Sequence, residues 1–293
     1  MLSWDSLRRY HFSKVPALLQ VPRVVNPPAD VFNQYFVAQG APIVFIGSPL
    51  LSDQSHTLDD ILRHSGGKIH VNVRSGNYVN KHARQQERMT LSEYGERYIR
   101  PLECDNRDID DSGSLPRYAG NSPLSREEFE AFGFRYPECF KGARFEVPRL
   151  WFGPKGSLTP LHYDSRDNLI CQYIGTKHLT LYPPSQIPWL YTRGFAPAWS
   201  AVGDPRQPDL VKFPLFAKTK AVEVTLHAGE MLYLPARWSH FVMNLDTSLM
   251  VNFWPDPTYA DWFRKRLGDK AIDMKRRLQR VVRGRLQRVV RAP

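Results

Sequence analysis

The chain has 293 residues, 42% hydrophobic and 24% charged, with three scattered cysteines, enough for one large or two small domains with a closed core and too few thiols for a disulfide framework. No run approaches the ~18 apolar residues of a membrane-spanning helix, and the opening Met1–Gln20 is broken by charge and lacks a secretory apolar core, so a cytoplasmic protein is expected. The formal net charge of +11 is concentrated: twelve Lys and Arg against Asp269 and Asp273 put +10 between Arg264 and Pro293, leaving a body too close to neutral to be a nucleic-acid surface in itself.

In chain order, Ala29–Gln39 reads as a short amphipathic helix, followed by the buried-strand run Pro42–Gly47. His56–His64 carries Leu58, Ile61 and Leu62 at helical spacing, Lys68–Arg74 alternates like a strand, and Leu91–Ile99 returns to helix. Residues 103–125, rich in Asp, Ser, Gly and Pro, read as a long surface connection. From about Arg149 the texture becomes β-rich. Asn168–Ile174, Lys177–Tyr182, Ala221–Leu226, Glu230–Leu234, Phe241–Leu245 and Leu249–Trp254 are short runs, several of them alternating, separated by turn residues such as Gly175-Thr176 and Ala228-Gly229. Strands this frequent without intervening helices argue for a sandwich or barrel. Pro183–Phe216 is too long and too Pro-rich for a turn, and its Trp189, Tyr191, Arg193, Trp199 and Arg206 suit a functional loop over one mouth, fitted to a peptide or an acidic small molecule.

After Pro255-Asp256-Pro257 the chain repeats itself at an eight-residue offset, Arg277–Arg283 and then Arg285–Arg291, each reading RLQRVVR. Leu278, Val281, Val282, Leu286, Val289 and Val290 recur three to four apart, the pattern of a cationic amphipathic helix weakened at Gly284. Such a tail (Arg264–Pro293) suits an anionic membrane surface, nucleic-acid phosphates, or the apolar face of a second subunit.

The sharpest local feature is Thr159-Pro-Leu-His162-Tyr-Asp164. A His and an Asp two apart on an extended segment point to one side and can grip one metal ion, although for a lone HxD a surface turn with a solvated Asp is the plainer reading. His240, in Trp238-Ser-His-Phe, offers a third ligand beside a predicted strand; alone it is as well read as a buried core histidine. Two His and one carboxylate with an open opposite face suit a non-haem Fe(II) oxygenase. A keto-acid co-substrate then needs a buried cation. The Arg that many such enzymes place about ten residues after the last His is here Met250; Lys177, at the start of a strand, is the alternative, with a snorkelling surface lysine as the plainer reading.

Taken together, GSLTPLHYD (156–164), NLICQYIGTKHLTLYPPSQ (168–186), GEMLYLPARWSHFV (229–242), VNFW (251–254) and the earlier VFNQYFVAQGAPIVFIG (31–47) resemble the JmjC and cupin-like Fe(II)/2-oxoglutarate oxygenases. The resemblance is particularly to the branch containing the asparaginyl hydroxylase that acts on hypoxia-inducible factor. It implies a mainly β fold: a double-stranded β-helix (jelly-roll, cupin-like) core with flanking N-terminal α/β elements and C-terminal helices. The implied organisation is a catalytic domain at 1–257, comprising an N-terminal flank (1–148) and barrel core (149–257), and a basic amphipathic helical tail at 258–293.

The resemblance further implies Fe(II) held by His162, Asp164 and His240, with 2-oxoglutarate and O2 as co-substrates. Lys177 would pair with the far carboxylate of 2-oxoglutarate, assisted by Thr159, while Asn168, Asn252 and Tyr118 match positions lining that pocket. Trp254 falls where relatives carry a substrate-side aromatic, and is equally a core residue ending a strand. The expected reaction is hydroxylation of a C–H bond in a protein, peptide or amino-acid substrate, or demethylation where the carbon is N-methyl. Relatives in the branch dimerise through C-terminal helices, which favours a homodimer use of the tail. Two other readings stay open: a non-catalytic cupin-like module recruiting a partner, membrane or RNA through its tail, and a metal-dependent hydrolase or isomerase on the same barrel.

Overall fold

A computed structural model describes residues 20–25, 32, 40–47, 57–64, 67–74, 86–104, 117–133, 145–194 and 197–255. Of the expected helix at 29–39 it describes only Phe32 (helical and fully buried), and the tail lies outside the described residues. The elements are β1 (Arg23–Val25), β2 (Ile43–Ile46), α1 (Leu58–His64), β3 (His70–Arg74), β4 (Gln86–Thr90) and α2 (Leu91–Tyr94), which runs on through a π-turn (Gly95–Ile99) into α3 (Arg100–Cys104). Then come β5 (Tyr118–Pro123), α4 (Arg126–Ala131), β6 (Arg149–Gly153), β7 (Leu158–Tyr163), β8 (Asn168–Ile174), β9 (Thr176–Tyr182), β10 (Thr192–Arg193) and β11 (Ala198–Ser200). The last four strands are β12 (Val222–His227), β13 (Met231–Leu234), β14 (Ser239–Asn244) and β15 (Ser248–Phe253). Both α2 and α4 start on capping boxes, Thr90 with Glu93 and Ser125 with Glu128, so that two otherwise orphaned amides at each start are satisfied.

The strands form two sheets. One runs β1-β2-β13-β8-β15-β6-β5-β3-β4 and the other β10-β11-β7-β14-β9-β12. Within them, β6 to β9 and β12 to β15 alternate between sheets as two interleaved four-strand sets, β13-β8-β15-β6 facing β7-β14-β9-β12. The core is thus a cupin-type jelly roll.

Alternation along each strand divides the core into layers. On the larger sheet, Leu150, Phe152, Leu169, Cys171, Met231, Tyr233, Val251 and Phe253 face outward onto Phe32, Leu62, Tyr94 and other N-terminal residues. Trp151, Ile170, Leu232 and Met250 face the second sheet, meeting Leu179, Leu181, Val224 and Val242. The outer face of the second sheet, with Leu161, Tyr182 and Phe241, is covered by Leu190, Phe213 and Phe216 from the 183–216 segment.

That segment therefore packs as part of the fold: it forms two 3-10 turns (Pro184–Trp189 and Pro214–Lys218) and the β10–β11 hairpin, which joins the edge of β7. A second difference from the sequence reading concerns residues 103–125, where the polar composition hides β5, a strand between β6 and β3 with Tyr118, Ala119, Gly120 and Ser122 buried. Its partners are remote in sequence, so no local periodicity announces it.

Candidate metal centre

His162 near the end of β7 and His240 near the start of β14 are direct cross-strand partners, with ring centroids 4.2 Å apart. Asp164 follows β7, and one ligand atom from each of the three lies within 4.8 Å of the others. Regular alternation would put Thr159 and His162 on opposite faces. The β7–β14 register slips between His240 and Val242, so that Thr159 pairs with Val242 while His162 pairs with His240. This bulge turns both residues into the barrel, the re-aiming that bulges perform beside sites.

Both imidazoles are pre-oriented by their own backbone. Nδ1 of His162 lies 2.8 Å from the Pro160 carbonyl oxygen and Nδ1 of His240 lies 3.0 Å from that of Trp238. Each Nδ1–H is therefore the donor, which leaves Nε2 as the ring atom available to a metal. Burial first, and then the neighbouring His240, push His162 down to about 4, keeping it neutral.

The turn feeding His240 is fixed at several points. The Arg237 amide donates to the Asp164 carbonyl at 2.8 Å, tying the turn to the β7 exit, and Arg237 itself is left-handed at φ 69°. Asp167 accepts from the Ala236 amide at 2.8 Å and from the Tyr233 hydroxyl at 3.2 Å. The buried indole of Trp238 donates to the Gly40 carbonyl at 2.9 Å.

Next to this group opens a cleft of about 550 Å³, counting its mouth. Thr159, Ile170, Val242, Met250 and Asn252 line its depth, while Asn121, Pro197, Trp199 and Trp254 also line it. Trp199 stacks on His162 with centroids 4.4 Å apart and planes inclined by 20°.

Lys177 is fully buried on the same inner face, its Nζ donating to Asn244 Oδ1 and standing 3.4 Å from the Tyr118 hydroxyl. The Asn244 amide nitrogen bonds the carbonyls of Gly153 and Pro154 at 3.0 and 3.2 Å, which turns its oxygen toward the lysine. Burial pushes the Lys177 ammonium down to about 7 against a weaker opposing pull from Asp246. Asn244 pairs with Lys177 in register, and His240 lies four residues away on β14, about 13 Å along the strand. Asn168, opposite Leu234 at the start of β8, and Asn252 each bury a carboxamide oxygen with no hydrogen-bond partner among the described residues.

The structure thus brings together His162, Asp164 and His240; Thr159 and Asn252 join them in the cleft, and Tyr118 and Lys177 meet farther along the same inner face. Of the five residues singled out in the 183–216 segment, Trp199 lines the cleft. Arg206 instead binds Asp204 at 2.6 Å and covers Phe241, and the Tyr191 hydroxyl accepts from the Leu215 amide, so these two hold the segment rather than offer a surface to an acidic ligand. Sequence reasoning missed Asn121. Its left-handed φ of 56° falls in a β5 bulge between Ala119 and Ser122, and the Gly-Asn pair at 120–121 is the one local signal that could have marked it.

Residues 28–261 match the family model described as Cupin-like domain. The chain belongs to the cupin-like domain family. Among its relatives, zebrafish "Lysine-specific demethylase 8" is 28% identical over 85% of this chain and 62% of its own length. Human "tRNA wybutosine-synthesizing protein 5" is 29% identical over 80% of this chain and 78% of its own. Human "Bifunctional peptidase and (3S)-lysyl hydroxylase JMJD7" is 34% identical over 39% of this chain and 43% of its own. Against "JmjC domain-containing protein D" of Dictyostelium discoideum the match spans 23% of the relative. JmjC members of the family are oxygenases of the Fe(II)/2-oxoglutarate type. The residues here fit those groups: two imidazoles and a carboxylate for the metal, and a buried ammonium for a carboxylate.

Proposed function

We propose that this protein is an Fe(II)- and 2-oxoglutarate-dependent oxygenase that hydroxylates a C–H bond in a protein, peptide or amino-acid substrate. The observation that carries this reading is the joint placement, on one inner face of the jelly roll, of His162, Asp164 and His240 with the buried Lys177. Nε2 of both histidines and one Asp164 oxygen would hold Fe(II) on one side and leave its other side to the cleft. The Lys177 ammonium, with the Tyr118 and Thr159 hydroxyls, would bind the far carboxylate of 2-oxoglutarate through a charge-assisted hydrogen bond. Ile170, Val242 and Met250 keep water from the reacting region. Asn121, Trp199 and Trp254 are the groups left to orient the primary substrate. The bound metal and co-substrate supply O2 activation with loss of succinate and CO2, chemistry that no side chain provides.

The motif resemblance to the asparaginyl hydroxylase branch makes a protein side chain our first choice of substrate. A second reading, an RNA substrate, draws on the +10 tail and on the tRNA wybutosine-synthesizing relative that aligns along most of the chain. Our reading keeps the cytoplasm as the compartment, and the tail as a homodimer contact or an arm for nucleic acid or anionic membrane.

The test is anaerobic binding of Fe(II) and 2-oxoglutarate, followed by the visible charge-transfer band, on wild type and Asp164→Ala. A band in wild type that is lost in the variant is expected, with Fe(II)-dependent succinate formation once O2 is admitted. A folded wild type with no band at excess metal and co-substrate would overturn the reading and leave a cupin-like binding module.

A further inference from the structure

β7 carries His162 and leads directly into Asp164, yet among the described strands it would be the free edge of its sheet without the β10–β11 hairpin. The hairpin supplies the missing neighbour: Ala198 pairs with Tyr163, and Trp199 with His162, in antiparallel register. Directly opposed residues on paired strands present their side chains to the same face. The indole accordingly lies flat on the imidazole, at 4.4 Å and 20°. The Pro160 carbonyl fixes one nitrogen of His162 and the indole face fixes the plane of the ring; His240 touches it from another side.

The strand that carries the indole is held on both sides of it. Its neighbour Ala198 is fully buried with Ile187 and Tyr163. On the other side the Ser200 hydroxyl donates to the Leu190 carbonyl at 2.6 Å and accepts from the Val202 amide at 3.1 Å. Past the hairpin, the Leu161 amide donates to the Gly203 carbonyl at 2.8 Å, sewing the segment to the strand that holds His162.

We propose that Trp199 is a positioning residue for His162: the 183–216 segment reaches back to β7 so that its indole locks the ligand ring in the orientation that binds metal. The proposal rests on the reading of His162 as a metal ligand and assigns a role to a residue outside the ligand set. A flat aromatic face is the property required, so phenylalanine should serve and an aliphatic side chain of similar bulk should not.

The experiment is an equilibrium titration of the full chain with Co(II) alone, read by its d–d absorption, on wild type, Trp199→Phe and Trp199→Leu, with apoprotein thermal unfolding measured in parallel. Loss of an outer partner of a ligating histidine weakens metal binding by roughly 10–100-fold. That weakening is expected for Trp199→Leu, with an altered d–d spectrum at saturation, while Trp199→Phe stays within about threefold of wild type. A merely structural role would lower the unfolding temperature of both variants and leave the Co(II) affinity and spectrum of the folded protein unchanged. That result, or equal weakening in both variants, would overturn the proposal. Absence of Co(II) binding by wild type would instead remove the ligand assignment on which it rests.

Discussion

Lys177 buries a cation with only a weak opposing pull from Asp246, and replacing it by Met isolates what that burial costs. Its conjugate acid is depressed from 10.5 to about 7, chiefly by desolvation. At about 1.4 kcal/mol per unit, holding the ammonium inside the apoprotein costs roughly 4–5 kcal/mol below pH 7. Lys177→Met removes that cost but takes from the Asn244 oxygen the ammonium it accepts from, a penalty of about 1–3 kcal/mol.

The variant should therefore be more stable than wild type by about 1–4 kcal/mol at pH 6. Between pH 7 and 10.5 the unfolded chain keeps the proton that folded Lys177 releases, so wild-type stability rises with pH across this window. The difference between the two proteins should shrink and then reverse by about pH 10. Urea denaturation followed by tryptophan fluorescence at pH 6, 8 and 9.5 measures it. A less stable variant at pH 6, or a difference independent of pH, would refute the reasoning. The same linkage predicts that 2-oxoglutarate, by giving the ammonium a carboxylate partner, binds with proton uptake above pH 7, so its affinity falls as pH rises. Lys177→Met should lose co-substrate binding while keeping the metal.

Two further substitutions probe the backbone that frames the site. Gly175, at φ 70° in the β8–β9 turn just before Lys177, would place an added Cβ 2.0 Å from the Thr247 carbonyl oxygen. That backbone atom has nowhere to go, so Gly175→Ala should cost at least ~3 kcal/mol in chemical denaturation; a loss within experimental error would mean the turn can rearrange. Asn121 at φ 56° lines the cleft from a bulge. Asn121→Gly should hold or raise the thermal midpoint while lowering substrate turnover, and Asn121→Val should cost about 1–2 kcal/mol. Unchanged turnover in the glycine variant would take Asn121 out of substrate orientation.

Where the sequence was readable, the strands were short, alternating and bounded by turn residues. The run Asn168–Ile174 is β8 residue for residue, and β9 and β12 to β15 begin and end within two residues of the runs read for them. Turn residues such as Gly175, Pro183, Gly229, Pro235 and Pro255 at one or both ends of most of these runs account for this, because they punctuate the chain whatever the rest of the fold does. The same reasoning fails at Tyr118–Pro123, whose strand character comes from pairing with β6 and β3 and whose Gly, Asn, Ser and Pro otherwise signal a loop. It fails again in the 183–216 segment, where composition suggested an exposed binding loop. Several of its bulky side chains instead cover the outer face of a sheet that the sequence does not display.

The sequence by itself determined which side chains are present to do chemistry and how the β-rich half divides into strands: His162 and Asp164 two apart, His240 beside a strand, Lys177 at a strand start, and a basic charge confined to the tail. Those are properties of residue type and short spacing, which the covalent chain carries unfolded. Tertiary structure alone decided that a register slip between β7 and β14 turns Thr159 and His162 inward together, that Asn121 reaches the cleft from a bulge, and that Trp199 lies on His162. Each of those depends on how one strand is registered against another far away in the chain, and register follows from the burial of whole sheet faces rather than from any local pattern.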